Sequence, residues 1–393
     1  MPYSLGEDEV DAVRQVIEKG YLDRYINGDD SVSSQFEKEF SKKLKVKYSL
    51  AVSSGTAALI CGLAGMCIGP GDEVIIPAFT YIATALSVLA VGAIPVIAEI
   101  DTSLTINPED VKRKITKKTK AIIPVHMHGL PCNMTAIMQI AKRYKLLVLE
   151  DVAQACGGSY GSRRLGTIGD AGIFSFNHYK IITCGEGGAL ITDKKIFHHK
   201  AIVQHHGGCI FEPGFPKLGI KAFAGWNFRI SEISSAILRV QLNKLDSILK
   251  NLREEKRAIL DCLSNVVSPF TFCPIHDEEG DCGRAVFLQF TSHNQANTFF
   301  QKMKLNNINA WFVNTKGHVY SDWEPILKKR GAHHTQRDPF HLSKTTINIS
   351  KNSFPQTSSI LERVIGISTQ IGRSKKELRV LTDALCNTIK ESY

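Results

Sequence analysis

Leu146-Leu147-Val148-Leu149-Glu150-Asp151-Val152-Ala153-Gln154-Ala155 is an apolar run that ends on two carboxylates and continues into small residues. A short apolar run without polar alternation suits a strand buried on both faces, as in a parallel sheet covered by helices. Acids at its C-terminal end then stand where open α/β sheets place their ligands. Outward from this strand the same kind of run recurs, so that strands are expected at 49–52, 73–76, 94–98, 121–125, 146–150, 173–175 and 189–192. Helix signals lie between them. Asn107 caps a helix with Pro108 at its first position and Glu109 and Asp110 in its first turn. The most apolar stretch, residues 83 to 100, is broken by Gly92 and Pro95, which predicts helix, turn and strand in a core and no membrane span. The expected class is α/β, with a mostly parallel seven-stranded sheet.

After Asn227 the pattern changes. Residues 231 to about 263 read as one long amphipathic helix, with Ile233, Ile237, Val240, Leu245 and Ile248 near one face. An α+β region follows, with strands at 285–290 and 310–313, a helix at 295–304 and a closing helix from Lys375. This divides the chain into a large domain, residues 1–250, and a smaller C-terminal α+β domain, residues 251–393. The boundary falls inside the long helix, and residues 1 to 20 are read as packing on the small domain.

A chain of 393 residues with 43% hydrophobic and 22% charged residues is an ordinary globular protein. The start, Met1-Pro2-Tyr3 and then Glu7-Asp8-Glu9, has no basic segment leading into an apolar run, so no signal peptide and a cytoplasmic location are expected. Ten cysteines are scattered without a CxxC pair or zinc spacing, so free thiols and no metal site are expected. The net charge of +10 is spread along the chain without a basic tail. That argues against nucleic acid and leaves a bias toward anionic small substrates.

Chemistry concentrates around Phe174-Ser175-Phe176-Asn177-His178-Tyr179-Lys180, followed by Thr183-Cys184-Gly185-Glu186-Gly187-Gly188. A lysine between a buried strand and a glycine-rich turn is usually a surface residue. In an apolar setting, however, its pKa shifts readily toward amine chemistry. Asp151 offers an anion able to hold a pyridine nitrogen protonated. Ser53-Ser54-Gly55-Thr56 follows a strand and opens a helix, so its free N–H groups suit a phosphate. Pro77-Ala78-Phe79-Thr80-Tyr81 supplies an aromatic ring after the next strand. His205-His206 precede Gly207-Gly208 and read as loop residues near the site's mouth. No G-x-G-x-x-G follows a strand, which weighs against a dinucleotide oxidoreductase.

In this order the motifs resemble the DegT/DnrJ/EryC1/StrS aminotransferases of fold type I, from Gly20 to Leu249 and more loosely to the C-terminus. The likeness is strongest in Glu150-Asp151-Val152-Ala153-Gln154-Ala155 and in Gly166-Thr167-Ile168-Gly169-Asp170 leading to Lys180. The resemblance implies pyridoxal 5′-phosphate as cofactor, carried by Lys180 as a Schiff base, with Asp151 on the pyridine nitrogen and Gln154 on the 3-hydroxyl side. It also implies Gly55, Thr56 and Ser175 on the phosphate and Tyr81 on the ring. Asn227 would reach the phosphate from a neighbouring subunit, which implies a homodimer with shared sites. Arg24, His128 and Arg229 are the expected substrate contacts. Tyr81 stands where Phe or Trp is frequent, Gln154 where His is frequent, and His128 where an aromatic is frequent, which puts the pocket's shape in doubt.

The implied reaction moves an amino group from glutamate or glutamine to a keto or aldehyde sugar, for a cell-surface polysaccharide, a lipopolysaccharide or a secondary metabolite. The acceptor would be nucleotide-linked, as in most of the family. The chain is also similar to the branch that makes 8-amino-3,8-dideoxy-manno-octulosonate, through Asp23-Arg24-Tyr25, Cys184 and Glu279-Gly280-Asp281. Two alternatives are a dehydratase of the same family and a cofactor-binding regulator. The dehydratases carry histidine where Lys180 stands, and a regulator needs no lysine–aspartate pair.

Overall fold

The structure is a computed structural model that describes residues 5–209, 218–264, 268–332, 334, 336, 338–343 and 348–390. The chain start Met1-Pro2-Tyr3 lies outside the described residues. In chain order the first strands are β1 (Tyr48–Val52), β2 (Glu73–Pro77), β3 (Ile94–Ala98), β4 (Thr119–Ile122) and β5 (Leu147–Asp151). A two-stranded hairpin, β6 (Ser159–Tyr160) and β7 (Arg163–Arg164), precedes β8 (Ala171–Ser175) and β9 (Gly188–Thr192). Seven of these form one sheet in the order β1-β9-β8-β5-β4-β2-β3. The expected seven strands are therefore present and mostly parallel, because β9 alone runs against both its neighbours, β1 and β8.

Side chains alternate across this sheet with a period of two, and helices cover both faces. Ile75, Ile122 and Val148 point into a core with Val111, Met134 and Ile137. Val74, Ile76, Ala121 and Leu149 point into another with Ala57, Leu63 and Val88. The helix Pro108–Lys114 begins as expected, its Asn107 cap accepting from the Glu109 N–H at 2.9 Å. Residues 83–100 form helix Ala83–Ala90, a turn through Gly92 and β3, also as expected.

The long helix is Glu232–Ser264. Its expected apolar face is buried at Leu245 and Ile248 and departs from expectation only in the first turns. Ile233, Ile237 and Val240 are only half-buried, whereas Leu238, Leu242, Leu245, Leu249 and Leu252 pack in the core with Phe36 and Phe40. The neighbouring helix Val32–Leu44 takes the Leu238–Leu242 side, and the Glu232 carboxylate accepts the N–H groups of Val32 and Ser33 at that helix's start. Further along, Ile259 and Leu263 join a second core. The helix Glu7–Lys19 does not sit on that second core. Its Glu9 bonds Gln241 and Lys244 at 2.7 and 2.8 Å, in the first half of the long helix.

The C-terminal region holds a four-stranded antiparallel sheet made of β10 (Phe270–Phe272), β11 (Ala285–Phe290), β12 (Ala310–Phe312) and β13 (Val364–Ser368), in the order β10-β11-β13-β12. Helices His293–Leu305 and Lys375–Lys390 pack on it. β11, β12 and both helices match expectation, while β10 and β13 were not foreseen. The cysteine expectation needs one correction. Cys262 and Cys386, on adjacent helices with Cα atoms 6.5 Å apart, form a disulfide, and the other eight thiols are free. No described helix is long and apolar enough to cross a membrane.

Candidate active site

Asp151 and Ser175 end the adjacent strands β5 and β8, Ser54 follows β1, and all three line one cavity of about 480 Å³. That volume is typical of small-molecule sites. The same cavity collects Gly55, Thr56, Tyr81, His128, Gln154 and Lys180. Nine residues singled out in the sequence thus converge on one space.

The helix Gly55–Gly65 opens into it. Ser54 caps this helix by accepting from the Ala57 N–H at 3.0 Å, which leaves the first-turn N–H groups of Gly55 and Thr56 without intrahelical acceptors. Gly55 lies so near Ser175 that an added Cβ would stand 2.7 Å from the serine's Cβ. Gly188 lies against Ser54 in the same way, with 2.3 Å between such a Cβ and the Ser54 carbonyl oxygen. Gly188 therefore permits close approach of β9 to the helix start.

Lys180 sits in the loop between β8 and β9. Main-chain bonds from Phe176 to Gly187 (2.8 Å), His178 to Gly185 (3.0 Å) and Cys184 to Phe176 (3.1 Å) close that loop on itself. Burial, then the neighbouring Arg284 charge, lowers the Lys180 pKa to about 8. Asp151 is buried. Its Oδ2 accepts from Thr84 Oγ1 at 3.0 Å and its Oδ1 from the Ala153 N–H at 3.0 Å. Burial raises its pKa, and those bonds and the Lys180 charge act against the rise. Glu150, its neighbour in sequence, faces away. It accepts from the N–H groups of Gly166, Ile168 and Gly169 at 2.8, 2.6 and 2.6 Å. The Gly166–Gly169 motif is thus bound to the Glu150-Asp151 motif by one carboxylate.

Tyr81 is half-exposed, with its ring 5.3 Å from that of His318. The Thr80 N–H donates to the His318 carbonyl at 2.9 Å and the Ile82 N–H to that of Gly317 at 3.1 Å, so the segment after β2 is pinned by the C-terminal region. Gln154 spends its side-chain oxygen on the His128 N–H at 3.0 Å. Burial depresses the His128 pKa to about 3, and its Nε2 is buried without a hydrogen-bond partner. Thr84, Glu186, Arg284 and His318 also line the cavity.

Arg24, Asn227 and Arg229 line no part of this cavity within the chain. Arg24 is buried, with its guanidinium on Glu37 at 2.6 Å and on the Ala51 carbonyl at 3.3 Å, which ties it to the fold and away from a substrate. Asn227 bridges His206 through the main chain, and Arg229 Nη1 lies 3.0 Å from His206 Nδ1. The two histidines are not loop residues at the mouth. His205 ends the helix Lys195–His205, and both are buried. Among the described residues no group of His, Cys, Asp and Glu is arranged to hold a metal ion.

Residues 3–372 match the model of the DegT/DnrJ/EryC1/StrS aminotransferase family. The chain belongs to that family. It is 33% identical over 355 residues to a putative L-glutamine:3-amino-2,3-dideoxy-scyllo-inosose aminotransferase of Micromonospora echinospora, covering 86% of this chain and 83% of that protein. Over 221 residues it is 38% identical to the GDP-perosamine synthase of Vibrio cholerae, which covers 56% of this chain and 59% of that enzyme's length. Its fold superposes on an aminotransferase from Psychrobacter cryohalolentis with a TM-score of 0.82 and 25% identity, over 99% of this chain and 98% of the other. The architecture is that of the fold-type-I pyridoxal-phosphate aminotransferases.

Proposed function

We propose that this family member transfers an amino group from glutamate or glutamine to a carbonyl of a keto or aldehyde sugar, with pyridoxal 5′-phosphate bound in the cavity. The observation that carries this reading is that Lys180 and Asp151 line one cavity together with the N-terminus of helix Gly55–Gly65. The donor set fits the cofactor. A helix start with a side chain-free residue at the point of closest approach suits a phosphate, and a buried carboxylate suits a protonated pyridine nitrogen.

When bound, pyridoxal phosphate supplies an aldehyde for an amine to condense with and a ring that accepts electrons from an adjacent carbon. Gly55, Thr56 and Ser175 hold the phosphate, and Tyr81 covers the ring. Asp151 keeps the pyridine nitrogen protonated. An opposite charge there offsets the burial that otherwise lifts the aspartate's pKa. Gln154, fixed by the His128 N–H, borders the 3-hydroxyl side. Lys180, with its pKa near 8, is a fraction neutral at physiological pH, so its amine can attack a carbonyl and can take and return the proton on the donor's α-carbon.

Asn227 and Arg229 lie outside the cavity of their own chain, and in this reading a second copy presents them to it, so the unit is a homodimer with shared sites. His128 then contacts the substrate. The acceptor belongs to the sugars that family members aminate, nucleotide-linked keto sugars and octulosonates among them. A lysine at position 180 favours transfer over dehydration.

The purified protein should be yellow, and glutamate or glutamine should shift its absorbance. Lys180→Ala should keep the cofactor and stall. Turnover by Lys180→Ala would sink the assignment. A screen of keto sugars and aldehyde sugar acids followed by mass spectrometry then identifies the acceptor.

A further inference from the structure

The cavity holds a cation that the roles above leave unused. Arg284 stands one residue before β11 and reaches the cavity from the C-terminal region. Its Nη2 donates to the Tyr179 carbonyl at 3.2 Å, on the peptide that leads into Lys180. The stem passes Gly129, where an added Cβ would lie 3.5 Å from the arginine's Cγ, and the guanidinium charge is among those that lower the His128 pKa.

No carboxylate among the described residues pairs with it. Asp281, three positions earlier in the chain, is taken by Lys256. Arg373 shares a smaller hollow of about 240 Å³ with Arg284, and it is matched by Glu255 at 2.9 Å. Glu186 bonds Asn177 at 2.7 Å. Asp151 is committed to Thr84 and the Ala153 N–H. Burial lowers the Arg284 pKa, as expected for a guanidinium withdrawn from water without an anion. A planar guanidinium with free donors matches a carboxylate in two-point geometry. The His128 Nε2 is a buried polar atom without a partner, on a ring 5.5 Å from Phe287 and 5.8 Å from Phe79. A carboxylate with a neighbouring hydroxyl would satisfy both residues.

We propose that Arg284 is the specificity residue that receives a substrate carboxylate beside Lys180, with His128 taking an adjacent hydroxyl where the substrate has one. The inference rests on the amino-transfer reading. The carboxylate has two sources, the amino donor or an acidic sugar acceptor. Arg284 sits on the boundary shared by the cavity and the smaller hollow, so an anion held there leaves the rest of the substrate room on either side.

The test uses the cofactor-loaded protein as wild type, Arg284→Gln and Arg284→Lys. The first readout is the pH midpoint of the cofactor absorbance, with and without malonate. In wild type, malonate bound near Lys180 should raise the midpoint. In Arg284→Gln the midpoint without malonate should already be higher, because the guanidinium charge is gone, and malonate should no longer move it. Arg284→Lys should respond partially.

The second readout separates the sources. Single-turnover kinetics follow L-glutamate in one direction. In the other they follow the return of the aminated form with 5-keto-D-gluconate or, as the neutral counterpart, D-fructose. A half-saturation weakened roughly ten- to a hundredfold for glutamate in Arg284→Gln assigns the donor. The same loss confined to 5-keto-D-gluconate, with D-fructose spared, assigns the acceptor.

A malonate response that is absent from wild type, or unchanged in Arg284→Gln, overturns the proposal. The wild-type titration decides it even if Arg284→Gln does not fold. Should wild type fail to react with glutamate and glutamine while still responding to malonate, amino transfer falls and the anion site stands.

Discussion

Thr84 Oγ1 donates to Asp151 Oδ2 across 3.0 Å, and the same hydroxyl lies 2.8 Å from Thr80 Oγ1. A helix-borne threonine therefore aims the carboxylate that ends β5, and all three side chains are buried. Replacing Thr84 by valine keeps the shape and removes the bond. The loss of one hydrogen bond to a buried carboxylate corresponds to about 1–3 kcal/mol. In Thr84→Val the dissociation constant for pyridoxal phosphate should rise several-fold and amino transfer should slow by roughly tenfold, measured by cofactor fluorescence and single-turnover absorbance. Unchanged cofactor affinity would remove Thr84 from the positioning of Asp151.

Asp151 itself yields a prediction in two directions. Its pKa in the folded protein is raised by burial. A raised value means that ionised Asp151 costs the cofactor-free fold stability. That cost is absent below the unfolded carboxylate pKa and is present in full above the folded one. Asp151→Asn keeps one oxygen for the Ala153 N–H and turns its NH2 to Thr84, whose hydroxyl can accept in place of donating. Without cofactor it should be at least as stable as wild type at neutral pH, with the difference vanishing in acid. With cofactor it should lose amino transfer by roughly a hundredfold or more. Urea titrations over pH and single-turnover rates check the two halves separately.

Gly55 tests the phosphate cradle. The Cβ of an alanine there would stand 2.7 Å from Ser175 Cβ and 3.1 Å from its hydroxyl oxygen, so helix start and strand end must part. Gly55→Ala should weaken pyridoxal phosphate binding by roughly tenfold or more. Pyridoxal, which lacks the phosphate, should bind the variant and wild type alike. An equal loss for both ligands would mean that Gly55 supports the fold generally.

Glu150 gives a stability prediction that leaves the cavity out. Its carboxylate accepts three main-chain N–H groups from the Gly166–Gly169 turn, and a glutamine can offer one oxygen and a donor that faces donors. Glu150→Gln should cost about 2–4 kcal/mol in urea unfolding. A change below the error of extrapolation would show that the turn is held by its own backbone.

The site divides into parts that were legible in the sequence and parts that were not, for a physical reason. Asp151 and Ser175 end strands, and Gly55 and Lys180 lie in the segments that follow strands, all within contiguous motifs where local residue order already states the geometry. Thr84 lies inside the helix Ala83–Ala90, and its contact with Asp151 exists only after β2 and β5 pack in one sheet. Arg284 and His318 come from the C-terminal region, with no motif around them. The one available sign was a charged residue directly before the apolar run Ala285–Phe290. β13 escaped notice because Gly366 interrupts its apolar pattern. That glycine is required where the Trp311 ring would stand 2.5 Å from a Cβ. The long helix and the burial of Leu245 and Ile248 are legible in the sequence, whereas Ile233, Ile237 and Val240 are as apolar as the leucines that the core takes in the first turns.

Asn227 supplies the last prediction, because it tests whether one cavity needs two chains. The residue follows Trp226, which is two-thirds exposed at 66%, and lies outside the cavity of its own chain. If the partner subunit's Asn227 completes the site, Lys180→Ala and Asn227→Ala fail in different subunits of the same site. Each variant alone should be nearly inactive. Unfolded and refolded together in equal amounts, half of the dimers are mixed, and each mixed dimer places both lesions in one site and leaves the other intact. Activity should recover to about a quarter of wild type. Recovery absent from the mixture, with mixed dimers shown to form by mass spectrometry, would place Lys180 and Asn227 in service of the same chain and end the shared-site reading.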